Sequence, residues 1–167
     1  MVRMLVNHPE KRDVYLGTAF WLKVIGAFIV MVLISAIVPF TNNDANTNTL
    51  IFIIAAGLIF QSFEVVEFYF QSQVMAKIVS ICKVTQLALS SLIKIYLVLN
   101  ENELVWFVLV TVIDVFSLAI SYFIAYKINQ RSSFYKRFDL SIAMELLKDS
   151  WALIFSAIIV MIYMRID

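Results

Sequence analysis

The stretch AFWLKVIGAFIVMVLISAIVPF, Ala19–Phe40, decides the fold class, because it is apolar from end to end with Lys23 as its single charged residue. A hydrocarbon core about 30 Å thick takes about 20 helical residues at about 1.5 Å each, so this run is the right length to cross one. Further runs of the same kind lie at Leu50–Phe70, Ile78–Leu99 and Leu104–Tyr126, and another begins at Trp151 and meets the C-terminus at Asp167. They are continuous rather than alternating, and in lipid every backbone group must be paired within its own segment, so helices are expected rather than barrel strands. The expected fold is therefore an all-α membrane protein with five transmembrane helices.

Composition agrees. Of 167 residues, 62% are hydrophobic and 15% charged, against roughly 45–50% and 25% in soluble domains. An ordinary water-soluble globule is excluded. The net charge of +1 supplies no overall attraction to nucleic acid. Cys82 and His8 are each the one residue of their type, which excludes an internal disulfide and a Cys/His metal cluster. No phosphate-binding glycine loop or nucleophile elbow is present, so no enzyme activity, metal or cofactor is expected.

Lys and Arg accumulate on the cytoplasmic side of short loops. Arg3, Lys11 and Arg12 precede the first run, Lys77 lies between the second and third, and Lys127, Arg131, Lys136 and Arg137 follow the fourth. The intervening loops Thr41–Thr49 and Asn100–Glu103 hold none. An N-terminus in the cytoplasm satisfies every loop. Glu10 and Asp13 dilute the N-terminal positive charge, so a retained N-terminus is expected rather than a signal peptide. Residues 127–150 form the one long connection. There Leu140, Ile142, Ala143, Met144, Leu146 and Leu147 interleave with Asp139, Glu145, Lys148 and Asp149, which fits either a short amphipathic surface helix or a basic loop with a helical end.

An ionised residue at the centre of a span costs on the order of 2.5–3.5 kcal/mol on insertion scales and points to function. Lys83, Gln86, Ser90 and Lys94 fall within an arc of about 80° on the third span, and the two lysines stand roughly 16 Å apart along it. On the fourth span Thr111, Asp114, Ser117 and Ser121 form a second polar stripe. Glu64 and Glu67 share a face of the second span at a depth matching Lys83, where an ion pair is plausible. Lys23 and Lys77 are expected to snorkel to the interface. Two stripes on neighbouring helices suggest a shared hydrated cavity, with buried structural pairs as the alternative.

Three stretches resemble a known family. DSWALIFSAIIVMIYMRID, Asp149–Asp167, resembles the start of the seventh helix of the bacterial polysaccharide-biosynthesis flippases, which carry O-antigen and other lipid-linked oligosaccharides. EFYFQSQVMAK, Glu67–Lys77, is similar to the motif closing their fourth helix. Pro9-Glu-Lys-Arg, with Leu16-Gly17-Thr-Ala-Phe20 after it, is similar to the lead-in to their third. One departure is Ala152, where the family usually has proline, so the start of the seventh helix is less sharply set.

The resemblance implies a MATE-like fold of two bundles, twelve to fourteen helices in all. Residues 1–126 would be the last four helices of the N-terminal bundle, 127–150 the cytoplasmic linker and 151–167 the start of the C-terminal bundle, so the chain is expected to be a fragment. The implied activity is transport of undecaprenyl-diphosphate-linked oligosaccharide across the bacterial inner membrane by alternating access. The implied partners are that lipid-linked cargo, membrane lipid, and the polymerase and glycosyltransferases of the same pathway. Lys83 and Lys94 would supply cations to the diphosphate, and Gln86, Ser90, Ser117 and Ser121 hydrogen bonds to sugar or phosphate, with Arg165 adding a planar donor. Asp114, Glu64, Glu67 and Asp167 would poise these cations or take part in ion coupling. The competing expectations are a cation-coupled multidrug exporter of the same superfamily, whose cavity should be net acidic, and a non-transporting membrane scaffold.

Overall fold

The computed structural model describes residues 1–41, 43–101, 103–129 and 134–164, with the backbone alone at 149, 152–154, 157, 158 and 162. Among the described residues every regular element is helical: α1 Val2–Asn7, α2 Arg12–Ile37, α3 Ala45–Phe60, α4 Val65–Ser72, α5 Ala76–Leu99, α6 Leu104–Asn129 and α7 Leu140–Tyr163. Four stretches are long and apolar enough to cross a membrane, Pro9–Phe40, Ala45–Ser72, Ala76–Leu99 and Leu104–Asn129. The chain is a membrane protein by this measure. The first four expected runs fall inside these spans, which extend them into flanking polar residues, while the run from Trp151 is not among the four.

Proline sets both ends of the first span. Pro9 opens a 3-10 turn, Pro9–Lys11, that leads into α2, and Pro39 lies in the turn Val38–Phe40 that ends it. Its missing N–H and fixed φ suit the first turn of a helix and not its interior. The second span changes its hydrogen bonding partway: α3 passes through a 3-10 turn, Gln61–Glu64, before α4 resumes. Such a mid-helix 3-10 stretch marks a hinge or a local strain.

In the bundle α2 packs on α3, α3 on α6 and α6 on α5, while α4 touches α1, α2, α5 and α6. The buried core gathers at one end, from Leu5 on α1, Leu16 on α2, Val66 and Phe70 on α4, Tyr122 on α6 and Ile142 on α7. Aromatic rings stack edge to face through it, with centroids 5.2 Å apart for Tyr69 and Tyr126 and 4.9 Å for Tyr126 and Phe134. Each such pair adds about 0.5–1.5 kcal/mol beyond area burial. Toward the other end the side chains turn outward: Val32, Leu92 and Val98 are 67%, 66% and 62% exposed. Contiguous bare apolar surface of this extent is stable against lipid and not against water.

Gly17 explains how the segment after α6 returns to the bundle. A Cβ there would stand 2.0 Å from the carbonyl oxygen of Arg137 and 2.2 Å from that of Phe134, so only glycine admits this backbone. Trp21 Nε1 donates to the Tyr135 carbonyl at 2.9 Å, and the Asp139 amide donates to Thr18 Oγ1 at 3.1 Å. The polar groups of the turn are satisfied by α2.

α7 crosses the expected boundary at Trp151 without a break. Residues 140–163 contain neither Pro nor Gly, and Ala152 continues a helix where proline would interrupt it. Asp139 starts it: its Oδ1 accepts from the amides of Ser141 at 2.8 Å and Ile142 at 3.3 Å, satisfying donors that every helix start leaves open. Ile142 and Ala143 are buried, whereas Leu140, Met144 and Leu147 are exposed. The helical part of this stretch is thus continuous with the residues after Trp151 rather than a separate short helix.

Candidate functional site

α5 places its polar residues at helical spacing, and packing decides where that stripe looks. Ser90 is buried at 3% exposure while Leu87, Leu92 and Tyr96 stand open. The polar face therefore meets α6 and the apolar face looks outward, as a span beside lipid should.

Against Ser90 and Lys94 the neighbouring α6 sets Asp114. Lys94 Nζ donates to Asp114 Oδ2 at 2.9 Å, and Ser90 Oγ makes a short hydrogen bond to the same oxygen. Near the packed end of α5, Lys83 Nζ lies 2.8 Å from the Glu67 carboxylate. That carboxylate also accepts from Gln71 Nε2 at 3.0 Å and from the Tyr122 hydroxyl at 3.2 Å. Helices α4, α5 and α6 thus converge on Glu67.

The second span carries a further pair. Lys23 Nζ stands 3.0 Å from Glu64 Oε2 and 3.5 Å from the Gln61 carbonyl oxygen. This corrects two expectations: Lys23 is tied to a carboxylate rather than snorkelling, and Glu64 serves α2 while Glu67 alone takes Lys83. Both corrections have the same cause. α4 has α2 and α5 as neighbours, so two acids on one span meet different helices.

The expected ladder of basic groups is therefore electrically balanced in the described residues, each of Lys23, Lys83 and Lys94 facing one acid. Its amines are not sealed: the lysine side chains are 38%, 48% and 39% exposed. An ammonium carries three N–H donors, so one acid leaves donors over for phosphate or hydroxyl oxygens. Ser117 and Ser121 do not join this seam. Their hydroxyls donate at 2.9 Å to Asp114 O and Ser117 O on their own helix, Ser117 being exposed and Ser121 half-buried. Thr111 does the same with Phe107 O at 2.9 Å, and Gln86 is half-buried. Arg165 and Asp167 lie outside the described residues.

Sequence reasoning missed Tyr122, Gln71 and the role of Lys23. Tyr122 stands in a run of apolar residues, where a tyrosine usually signals a buried ring with one polar contact, but nothing local says that the contact is Glu67. It also missed Asp13, which accepts from Tyr126 OH at 3.0 Å and from Arg12 Nε at 3.4 Å. No group of three or more His, Cys, Asp or Glu residues suited to a metal ion occurs among the described residues.

Two clefts flank Lys23. One of about 320 Å3 is bordered by Ala19, Leu22, Val65, Leu146 and Ser150, the other of about 220 Å3 by Ala27, Val30, Leu58, Gln61 and Ser62. No protein-family model, curated protein or solved structure matches the chain.

Proposed function

We propose that the chain is part of a bacterial inner-membrane flippase that moves undecaprenyl-diphosphate-linked oligosaccharide from the cytoplasmic to the outer leaflet for surface polysaccharide synthesis. In this reading the N-terminus is cytoplasmic, α7 is a fifth span, and the helices form part of a MATE-like transporter that alternates access between two bundles. The polymerase and glycosyltransferases of the same pathway are its partners. The observation that carries the reading is the placement of Lys83 and Lys94 inside a span with side chains 48% and 39% exposed. A diphosphate needs cations and donors along its path, and a lysine held by one acid keeps further N–H donors for a phosphate oxygen. The stretches at Glu67–Lys77 and Asp149–Asp167 support the same family.

A second reading, a membrane scaffold without transport, is favoured by one observation: each of those amines already has an acid partner. Charge exchange separates the two. In cells, in the full-length protein, Lys94→Glu should abolish glycan export at normal protein level. Lys94→Asp combined with Asp114→Lys should likewise keep the protein level normal without restoring export, because the cation has moved to another helix. Unchanged export in Lys94→Glu overturns the flippase reading. Export fully recovered by the exchange favours the scaffold.

A further inference from the structure

The helix change at Gln61–Glu64 lies deep in the second span, Ser62 being ten residues from Ser72, about 15 Å along a helix axis. The residue is completely buried, and its hydroxyl oxygen lacks a hydrogen-bond partner. An unpaired buried hydroxyl is unfavourable by about 1–3 kcal/mol, so native structures normally supply one. Ser62 borders the cleft of about 220 Å3, which has room for several waters at about 30 Å3 each. Lys23 and the Gln61 carbonyl on the same wall provide further partners, and an ordered water needs two to four.

Lys23, Ala27 and Val30 follow at spacings of four and three, so they share one face of α2. Along that face the shallow cleft touches Ala19, Leu22 and Lys23, and the deep one touches Lys23, Ala27 and Val30. Lys23 alone borders both. Its ammonium is bound to Glu64 at 3.0 Å.

We infer that the helix break at Gln61–Glu64 is a water-binding site inside the membrane, and that the Lys23–Glu64 ion pair is the gate between this site and the shallow cleft. Water there bonds Ser62 Oγ and the Gln61 carbonyl, and reaches them when the pair opens. The pair is not packed in on all sides, since both side chains are more than a third exposed, 38% and 40%. This inference needs the membrane-spanning placement but not the cargo of the flippase reading.

The test is thiol accessibility in membranes, with Cys82 replaced by serine. Methanethiosulfonate ethylammonium reacts with a hydrated thiolate, forming a disulfide and releasing methanesulfinate, and does not react with a thiol in dry hydrocarbon. Ser62→Cys should be labelled, and several-fold faster when Glu64→Gln weakens the gate. Ala27→Cys, on the same cleft, is a second reporter should Ser62→Cys insert poorly. Ile29→Cys, 54% exposed on another side of α2, should stay unlabelled in both backgrounds. Absence of labelling at Ser62 and Ala27, or equal rates with and without Glu64→Gln, overturns the inference. An outcome of Lys94→Glu that defeats the flippase reading would leave this labelling pattern intact.

Discussion

The two ends of the bundle are held by different physics. At one end, α1, α4, the start of α2 and the close of α6 bury aromatic and branched side chains against one another, and the 134–137 turn lies directly on Gly17. At the other end α2, α5 and α6 expose leucine, isoleucine and valine, and what joins helices there includes the Lys94–Asp114 pair with Ser90. Close packing is the adhesive that works in lipid and in water alike. Between apolar surfaces in lipid no hydrophobic force drives helices together, so polar pairs and close backbone contact take over. The packed end should therefore fail through steric change, and the open end through loss of a polar partner.

The largest effect should follow Gly17→Ala. The new methyl would meet two backbone carbonyls, which cannot rotate away, so a loss at or above the upper end of the usual 1–3 kcal/mol for overpacking is expected, about 3 kcal/mol. Gly26 lies on the same helix with nothing within 4 Å of its added Cβ. Gly26→Ala should be neutral or stabilising by up to about 1 kcal/mol, because alanine is the better helix former. Thermal unfolding in detergent measures both, and equal effects at the two glycines would break the comparison.

At the open end, Asp114→Asn should destabilise by about 1–2 kcal/mol, the range for polar contacts between membrane helices. The asparagine keeps the shape and part of the hydrogen bonding while Lys94 loses its counter-charge. Adding Lys94→Met should recover part of the loss, since the uncompensated cation is then gone. A double variant less stable than Asp114→Asn alone would show that the pair is not the coupled unit.

Tyr122→Phe should cost about 0.5–1.5 kcal/mol, the value of one hydrogen bond, and leave the ring packing of the core intact. The smallest effect belongs to Lys83→Ala, about 0.6 kcal/mol, the average for polar contacts between membrane helices. A loss there larger than for Tyr122→Phe would mean that Glu67 depends on its cation more than on its neighbours, and the packed end would then owe more to charge than to packing.

Much of the candidate site was legible residue by residue. The spacing of Lys83, Ser90 and Lys94 predicts one helix face, but the sequence set no acid well matched to the depth of Lys94, with Asp114 only its nearest possible partner, and the bundle brings the two together at 2.9 Å. That Lys83 takes Glu67 and leaves Glu64 to Lys23 was not legible, since the sequence places both acids at nearly the same depth. The cavity expected between the stripes is instead a seam of pairs, because α5 turns its polar face onto α6. Ser62 had no signal at all: a serine within an apolar run looks the same whether it bonds its own helix, as Ser117 does, or stays without a partner.

Apolar runs of membrane-crossing length, proline at both ends of the first span and polar residues at helical intervals are local properties, and the chain alone determined its spans from them. Each helix in lipid must satisfy its own backbone, which needs no knowledge of neighbours. The partner of each charged group was decided only in the assembled bundle. It depends on how each helix is rotated and which one lies beside it, and those are set by contacts such as the turn on Gly17 that join residues far apart in the chain.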